Sequence, residues 1–177
     1  MLDEHTEASV RLHFANPEDP RAWIIFHLYM HDVQGTVASF NLFNSLLSAL
    51  DPGRLPEMMY HASCFICAAR RVGRMLETMA KNGPKNGHWF APPVAKVIKL
   101  EWRKRRLFFD SLIEPRNAIE HIDKEAKGPI KPVWFSVVGD RFVVTSGKSV
   151  RINAAALATI TSSLDCITHA IIKQYPA

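Results

Sequence analysis

The chain has 177 residues with 22 Lys plus Arg against 17 Asp plus Glu, a net charge of +5, and a sequence pI near 9.3. That length bounds the protein to one domain with enough chain to bury a core unaided by disulfides or metal, and the basic balance favours anionic partners. Three cysteines, Cys64, Cys67 and Cys166, set among apolar residues, and an opening Met1-Leu2-Asp3-Glu4 without a basic and apolar leader, point to a reducing cytoplasm and not to a secreted disulfide scaffold. The apolar run from Ala22 to Met30 is too short to cross a bilayer, so no membrane segment is expected.

In chain order, a polar opening leads to Asn16-Pro17-Glu18-Asp19-Pro20, which carries helix-start chemistry and places the first long helix from near Asp19. Ile24, Leu28, Val33, Val37, Phe40, Phe43, Leu47 and Leu50 recur at helical steps, and Asp51-Pro52-Gly53 ends the run. A second helix is expected from about Pro56 to Lys81, stopped by Asn82-Gly83-Pro84. The turn-rich segment from Gly83 to His88 follows, and Pro92-Pro93 launches a third helix to at least Glu114. One side of it carries Ile98, Trp102, Phe109, Leu112 and Ile113, and the other Lys99, Arg103, Arg106 and Asp110.

Pro115 lacks an N–H and crowds the preceding turn, which predicts a kink or a fresh start at Arg116. From Pro132 the pattern changes: Val133 to Val138, Gly139-Asp140, then Arg141 to Thr145 reads as a β-hairpin spanning about 132–146. Asn153 caps a last helix through about Lys173 whose stripe is Leu157, Ile160, Leu164, Ile167 and Ile171. The fold expected is all-α: an up-and-down bundle of four to five helices with a small hairpin inserted before the last one.

The chemistry concentrates at Arg116-Asn117-Ala118-Ile119-Glu120-His121. Arginine presents a fixed fork of donors suited to phosphate, and histidine titrates nearest neutrality. In a continuous helix Asn117 and His121 share a face, whereas Arg116 and Glu120 share another. An unpaired guanidinium is unwelcome beside an apolar stripe, so Arg116 is either neutralised by Glu120 or another acid as a structural ion pair, or presented at an interface to a phosphate or a second subunit. Lys99, Arg103 and Arg106 are candidates to carry RNA phosphates, with an ordinary solvated helix face as the bland alternative.

The arrangement resembles the HEPN superfamily, whose signature is an arginine, a polar residue and a histidine four to six residues beyond the arginine, near the end of a helix before the last one. Arg116, Asn117 and His121 match it, and the hairpin is a departure from the pattern. The resemblance implies a metal-independent endoribonuclease of toxin or defence type, with no cofactor, acting as a homodimer whose motifs face one another and paired in some members with an antitoxin protein. It implies His121 as general base or acid, Arg116 on the scissile phosphate, and Asn117 as orienting His121 or hydrogen-bonding the phosphate. It admits a second outcome, a non-catalytic module that binds RNA, a nucleotide or a protein.

Elsewhere the bland readings prevail. Cys64 and Cys67 form a C-x-x-C with no second pair to complete a zinc site, and are expected to be buried thiols. His27 and His31, four apart beside Asp32, have metal-compatible spacing, with His61 or His169 as further candidates, but no H-E-x-x-H accompanies them.

Overall fold

The computed structural model describes residues 3–16, 18–49, 52–82, 89–125, 135–144 and 147–176, and for 52, 121–125 and 135 the backbone alone. Six α-helices lie among them: α1 (Glu4–Ala15), α2 (Arg21–Ala49), α3 (Leu55–Lys81), α4 (Pro92–Ser111), α5 (Ile113–Glu125) and α6 (Ala154–Gln174). Between α5 and α6 stand β1 (Phe135–Val138), β2 (Arg141–Val144) and β3 (Ser149–Arg151), an antiparallel sheet in the order β1-β2-β3. The protein is an all-α bundle with a small sheet before its last helix.

Several boundaries follow from local chemistry. Asp3 caps α1, accepting from the His5 and Thr6 amides at 3.1 and 3.0 Å, and the Thr6 hydrogen bonds hold its carboxyl below the usual range. This helix is absent from the sequence expectation, which took the opening as polar; Asp3 with Glu4 and Glu7 in the first turn was the available signal. The break after α4 falls at Leu112, three residues before Pro115, where the Leu112 amide turns back to the Phe109 carbonyl at 3.2 Å. Pro115 is thus the third residue of α5. Its missing N–H costs nothing in a first turn, whereas its ring would clash with the carbonyl of residue 111 in an unbroken helix. In β1–β2 the turn is Gly139-Asp140, with Gly139 at φ 58°, the left-handed geometry a two-residue hairpin needs. The third strand was unforeseen, and the expected hairpin residues 132–134 and 145–146 lie outside the described residues, as does the loop 83–88.

The chain forms two compact units. The first takes residues 1–33, 71–106 and 159–177. Its core includes Phe26, Tyr29, Leu76, Ile98, Trp102, Ile160, Leu164 and Ile171. The first turns of α2 depart from the expected stripe: Ile24 and Leu28 are exposed, while Phe26 and Tyr29 are fully buried. Apolar residues on every side of α2 leave its phase undetermined by periodicity. Helix α6 is long and apolar enough to cross a membrane by length and composition, yet Ile160, Leu164, Ile167 and Ile171 are buried within the protein.

A buried polar network crosses this unit. Glu101, 2% exposed, pairs with Arg105 and with Lys104 at 2.9 Å. Arg105 also donates to the Thr159 carbonyl at 2.6 Å and to Ser162 Oγ at 2.8 Å. Nearby, the Tyr29 hydroxyl and Ser163 Oγ are hydrogen-bonded at 2.5 Å. Burial pushes the Tyr29 phenol well above the ordinary tyrosine value of 10.0. The sign follows: an unfolded chain ionises this phenol near 10.0 and the folded one only higher. Its contribution is therefore constant below that pH and lost as pH rises further. An alkaline titration followed by phenolate absorbance should show Tyr29 ionising only as the chain unfolds, and Tyr29→Phe should abolish that component.

The second unit takes residues 34–70 and 107–158. Phe43, Phe65, Ile66, Phe109, Leu112, Phe142 and Val150 supply its core, and the Phe40 and Phe65 rings meet at 6.3 Å. Asn153 caps α6 as expected, accepting from the Ala156 amide at 3.0 Å, and its own amide donates to Asp140 at 3.2 Å. The Ile152 amide donates to the Asp140 carbonyl at 2.7 Å, so the hairpin turn is fastened to the start of α6. Ile113, assigned to the core from the sequence, is instead 38% exposed, because the break at Leu112 resets the helical phase.

Candidate functional site

Within the second unit the motif lies inside α5 and its backbone is helical through residue 121. The Arg116 amide bonds to the Leu112 carbonyl at 3.1 Å, so the helical ladder is already closed where the motif begins. Positions 117 and 121 are four apart and fall on one face, about 40° from each other around the axis. The side chain of His121 lies outside the described residues. Arg116, with its side chain 30% exposed, sends Nη2 to Glu120 Oε2 at 2.5 Å and Nη1 to Asn117 Oδ1 at 3.3 Å. Of the two arrangements open to Arg116 in the sequence, the structure shows the pairing with Glu120.

This pair is half-exposed on both sides, a setting in which ion pairs contribute little to stability and exchange partners readily. An incoming phosphate would compete with Glu120 for a guanidinium that is partly exposed, not sealed in a core. At the other end of the motif helix, Lys148 pairs with Glu114, tying the segment before β3 to the first turn of α5.

Lys99, Arg103 and Arg106 belong to the first unit. Lys99 is half-buried and the two arginines are exposed. Arg106 is already engaged by another group, whereas Lys99 and Arg103 have no ion-pair partner among the described residues. Lys96, which the sequence reading passed over, joins them: the three line a shallow cleft of about 350 Å³ with Pro92, Ala95 and Leu100. Its signal was the three-residue step to Lys99 on the same face. A larger cleft of about 570 Å³ lies along α1 and the end of α6, lined by Val10, Phe14, Tyr175 and Pro176. There Arg11 is committed to Glu7 and to the Ile172 and Tyr175 carbonyls, which leaves no free cation for an anion among the described residues that line it.

The remaining candidates have local roles. Cys64 and Cys67 are half-buried and Cys166 is exposed, all three as free thiols, so the C-x-x-C is less enclosed than expected. The His27 and His31 rings meet edge-on at 5.3 Å, His27 Nδ1 lies 3.4 Å from Ser9 Oγ, and Asp32 is held by Arg71 at 2.9 Å. His169 Nδ1 donates to the Asp165 carbonyl at 2.8 Å. Among the described residues no group of three His, Cys, Asp or Glu is gathered to hold a metal ion. Comparison of the chain with protein-family models, with curated proteins and with solved structures gives no match.

Proposed function

We propose that the protein is a HEPN-type endoribonuclease that cuts RNA by metal-independent transesterification through Arg116, Asn117 and His121. The observation that supports it most is the uninterrupted helical backbone from 113 to 121, which sets positions 117 and 121 on one face while the Arg116 fork touches Asn117. In this chemistry the ribose 2′-oxygen attacks phosphorus and the 5′-oxygen leaves, giving a 2′,3′-cyclic phosphate and a 5′-OH. An imidazole takes the 2′-OH proton and an imidazolium returns one to the leaving oxygen. Arg116 meets the charge that develops on the phosphate. Each motif supplies one histidine, so the reading takes the enzyme as a homodimer with two motifs facing. A toxin or defence role in the cytoplasm, with an antitoxin protein as partner, belongs to the same proposal.

Lys99 and Arg103, with Lys96, are assigned to RNA phosphates. Helix rise spaces the three along the axis by about 4.5 and 6 Å, comparable to the step between phosphates of a single strand. A Lys99→Gln, Arg103→Gln variant should bind every RNA sequence more weakly. Its affinity should fall less steeply with salt, the log–log slope shrinking by about 1.4 for two lost contacts. Gel shifts across a salt series check this.

The Arg116–Glu120 pair favours one alternative, a non-catalytic module in which the same arginine is structural or grips a ligand without cleavage. Incubating labelled RNA with the protein in EDTA separates the two: cleavage supports the nuclease, and a gel shift without cleavage supports the module.

A further inference from the structure

Cys64 and Cys67 take no part in the chemistry of the Arg116 motif. Both lie inside the unbroken α3, within the second unit, and both are half-buried free thiols. Two of the chain's three cysteines thus share one helix, three residues apart. That step sets them about 60° apart around the axis and about 4.5 Å along it, on one face. The residues between and around them, Ala62, Phe65, Ile66 and Ala68, are buried, so the pair borders the apolar core.

Helical spacing decides what such a pair can join. Residues three apart hold their Cβ atoms about 5–6 Å from one another, whereas a relaxed disulfide needs about 3.5–4.5 Å. A bond between the two sulfurs would therefore strain the helix. A metal–thiolate bond is about 2.3 Å, so two of them in line span about 4.6 Å from sulfur to sulfur, which side-chain rotation reaches without moving the backbone. Ligand number then narrows the ion. Among the described residues no third His, Cys, Asp or Glu joins the two thiols to hold a metal. Zinc takes four ligands in a structural site and three with a water in a catalytic one. Copper(I) is a soft ion that thiolates select, and it is stable with two ligands in line.

Tyr60 supplies a second observation. It stands four residues before Cys64 on the same face, and its hydroxyl is hydrogen-bonded to the Cys64 sulfur. That bond raises the phenol above the ordinary tyrosine value of 10.0, so at neutral pH the proton stays on the tyrosine and the sulfur accepts. His61 meets the Tyr60 ring edge-on at 5.2 Å. Metal-bound side chains are ordinarily held by hydrogen bonds of this kind.

We infer that Cys64 and Cys67 bind one copper(I) ion as a two-coordinate dithiolate, with the Tyr60 hydroxyl donating to the Cys64 sulfur. On binding, each thiol loses its proton and each sulfur gains a bond to copper. Two protons are released, copper stays monovalent, and the ion with its two thiolates carries one net negative charge. The Tyr60 hydroxyl faces that charge. All three residues belong to α3, and the assignment holds whether or not the protein cuts RNA.

The reduced protein, titrated anaerobically with copper(I) against a coloured bidentate copper(I) chelator, should retain one ion per chain. Cys64→Ser and Cys67→Ser should each lose it, with helicity by circular dichroism unchanged, while Cys166→Ser keeps it. Tyr60→Phe should keep the stoichiometry and weaken the affinity by about ten- to a hundredfold, the usual weight of a hydrogen bond to a metal ligand. Tyr60 is 64% exposed, so that change leaves the core alone. Copper yielded entirely to the chelator by the wild type, or retained by either folded Cys64→Ser or Cys67→Ser, would overturn the inference. Zinc(II) bound by the same pair as tightly as copper(I) would overturn the two-ligand site, and an unchanged affinity in Tyr60→Phe would overturn the part given to the tyrosine.

Discussion

Glu101→Gln is expected to destabilise the protein by about 3–5 kcal/mol, because it leaves a guanidinium in place without the carboxylate that neutralises it. Glu101 is 2% exposed and the Arg105 side chain 12%, so little water is at hand to take over the charge. The neutral bonds from Arg105 to Thr159 and Ser162 orient the arginine without compensating its charge. For a chain of this size the loss corresponds to roughly 6–20 °C in Tm. Glu57→Gln serves as the control, since Arg54 and Glu57 are each 48% exposed and their pair is worth about 1 kcal/mol or less. Replacing Glu101 and Arg105 together by apolar residues should recover part of the loss, as removing both charges removes the uncompensated one. Thermal and urea melts of the variants check these values. A cost under about 1 kcal/mol for Glu101→Gln would mean water reaches the pair.

The second large effect belongs to the proposed ribonuclease reading and concerns turnover. His121→Ala should lower RNA cleavage by about a hundred- to ten-thousandfold, the usual weight of a positioned acid or base. Arg116→Ala should lose activity on a comparable scale by removing a donor aimed at developing charge. Arg116→Lys should not recover it, because a point charge does not reproduce a planar fork. The fold should survive: the Arg116 side chain is 30% exposed and its partner Glu120 41%, so the pair contributes about 1 kcal/mol at most. Glu120→Gln then discriminates. Where Arg116 serves the phosphate, freeing it from Glu120 leaves cleavage intact or raises it. Where the pair is structural, Glu120→Gln and Arg116→Ala destabilise alike and neither alters chemistry.

Much of the architecture was legible because the chain punctuates itself strongly. The ends of α3 are set by Pro56-Glu57 and Asn82-Gly83-Pro84, the start of α4 by Pro92-Pro93, the hairpin turn by Gly139-Asp140, and the cap of α6 by Asn153. Each of these acts within a few residues. The failures occur where a local signal is ambiguous or tertiary context decides. Apolar residues surround α2, so only packing determines that Phe26 is buried and Leu28 exposed. Pro115 announced a break but not its position, since its ring excludes helix from the residues before it, not after it. The Glu101–Arg105 pair has a helical spacing visible in the sequence, but its burial and its bonds to Thr159 and Ser162 depend on α6 arriving from 54 or more residues away. At the motif, the four-residue spacing of Arg116 and Glu120 offered their pairing as one of two arrangements, while the contact between Arg116 and Asn117 is a matter of side-chain conformation that no spacing encodes.

The central claim, that Arg116, Asn117 and His121 cut RNA through the 2′-OH, is tested most directly by the ends of the products. Labelled RNA incubated in EDTA with wild type and with folded His121→Ala should yield 2′,3′-cyclic phosphate and 5′-OH termini from the wild type alone, while the matching DNA stays whole. Intact RNA in both reactions, or equal cleavage by both proteins, would contradict the account.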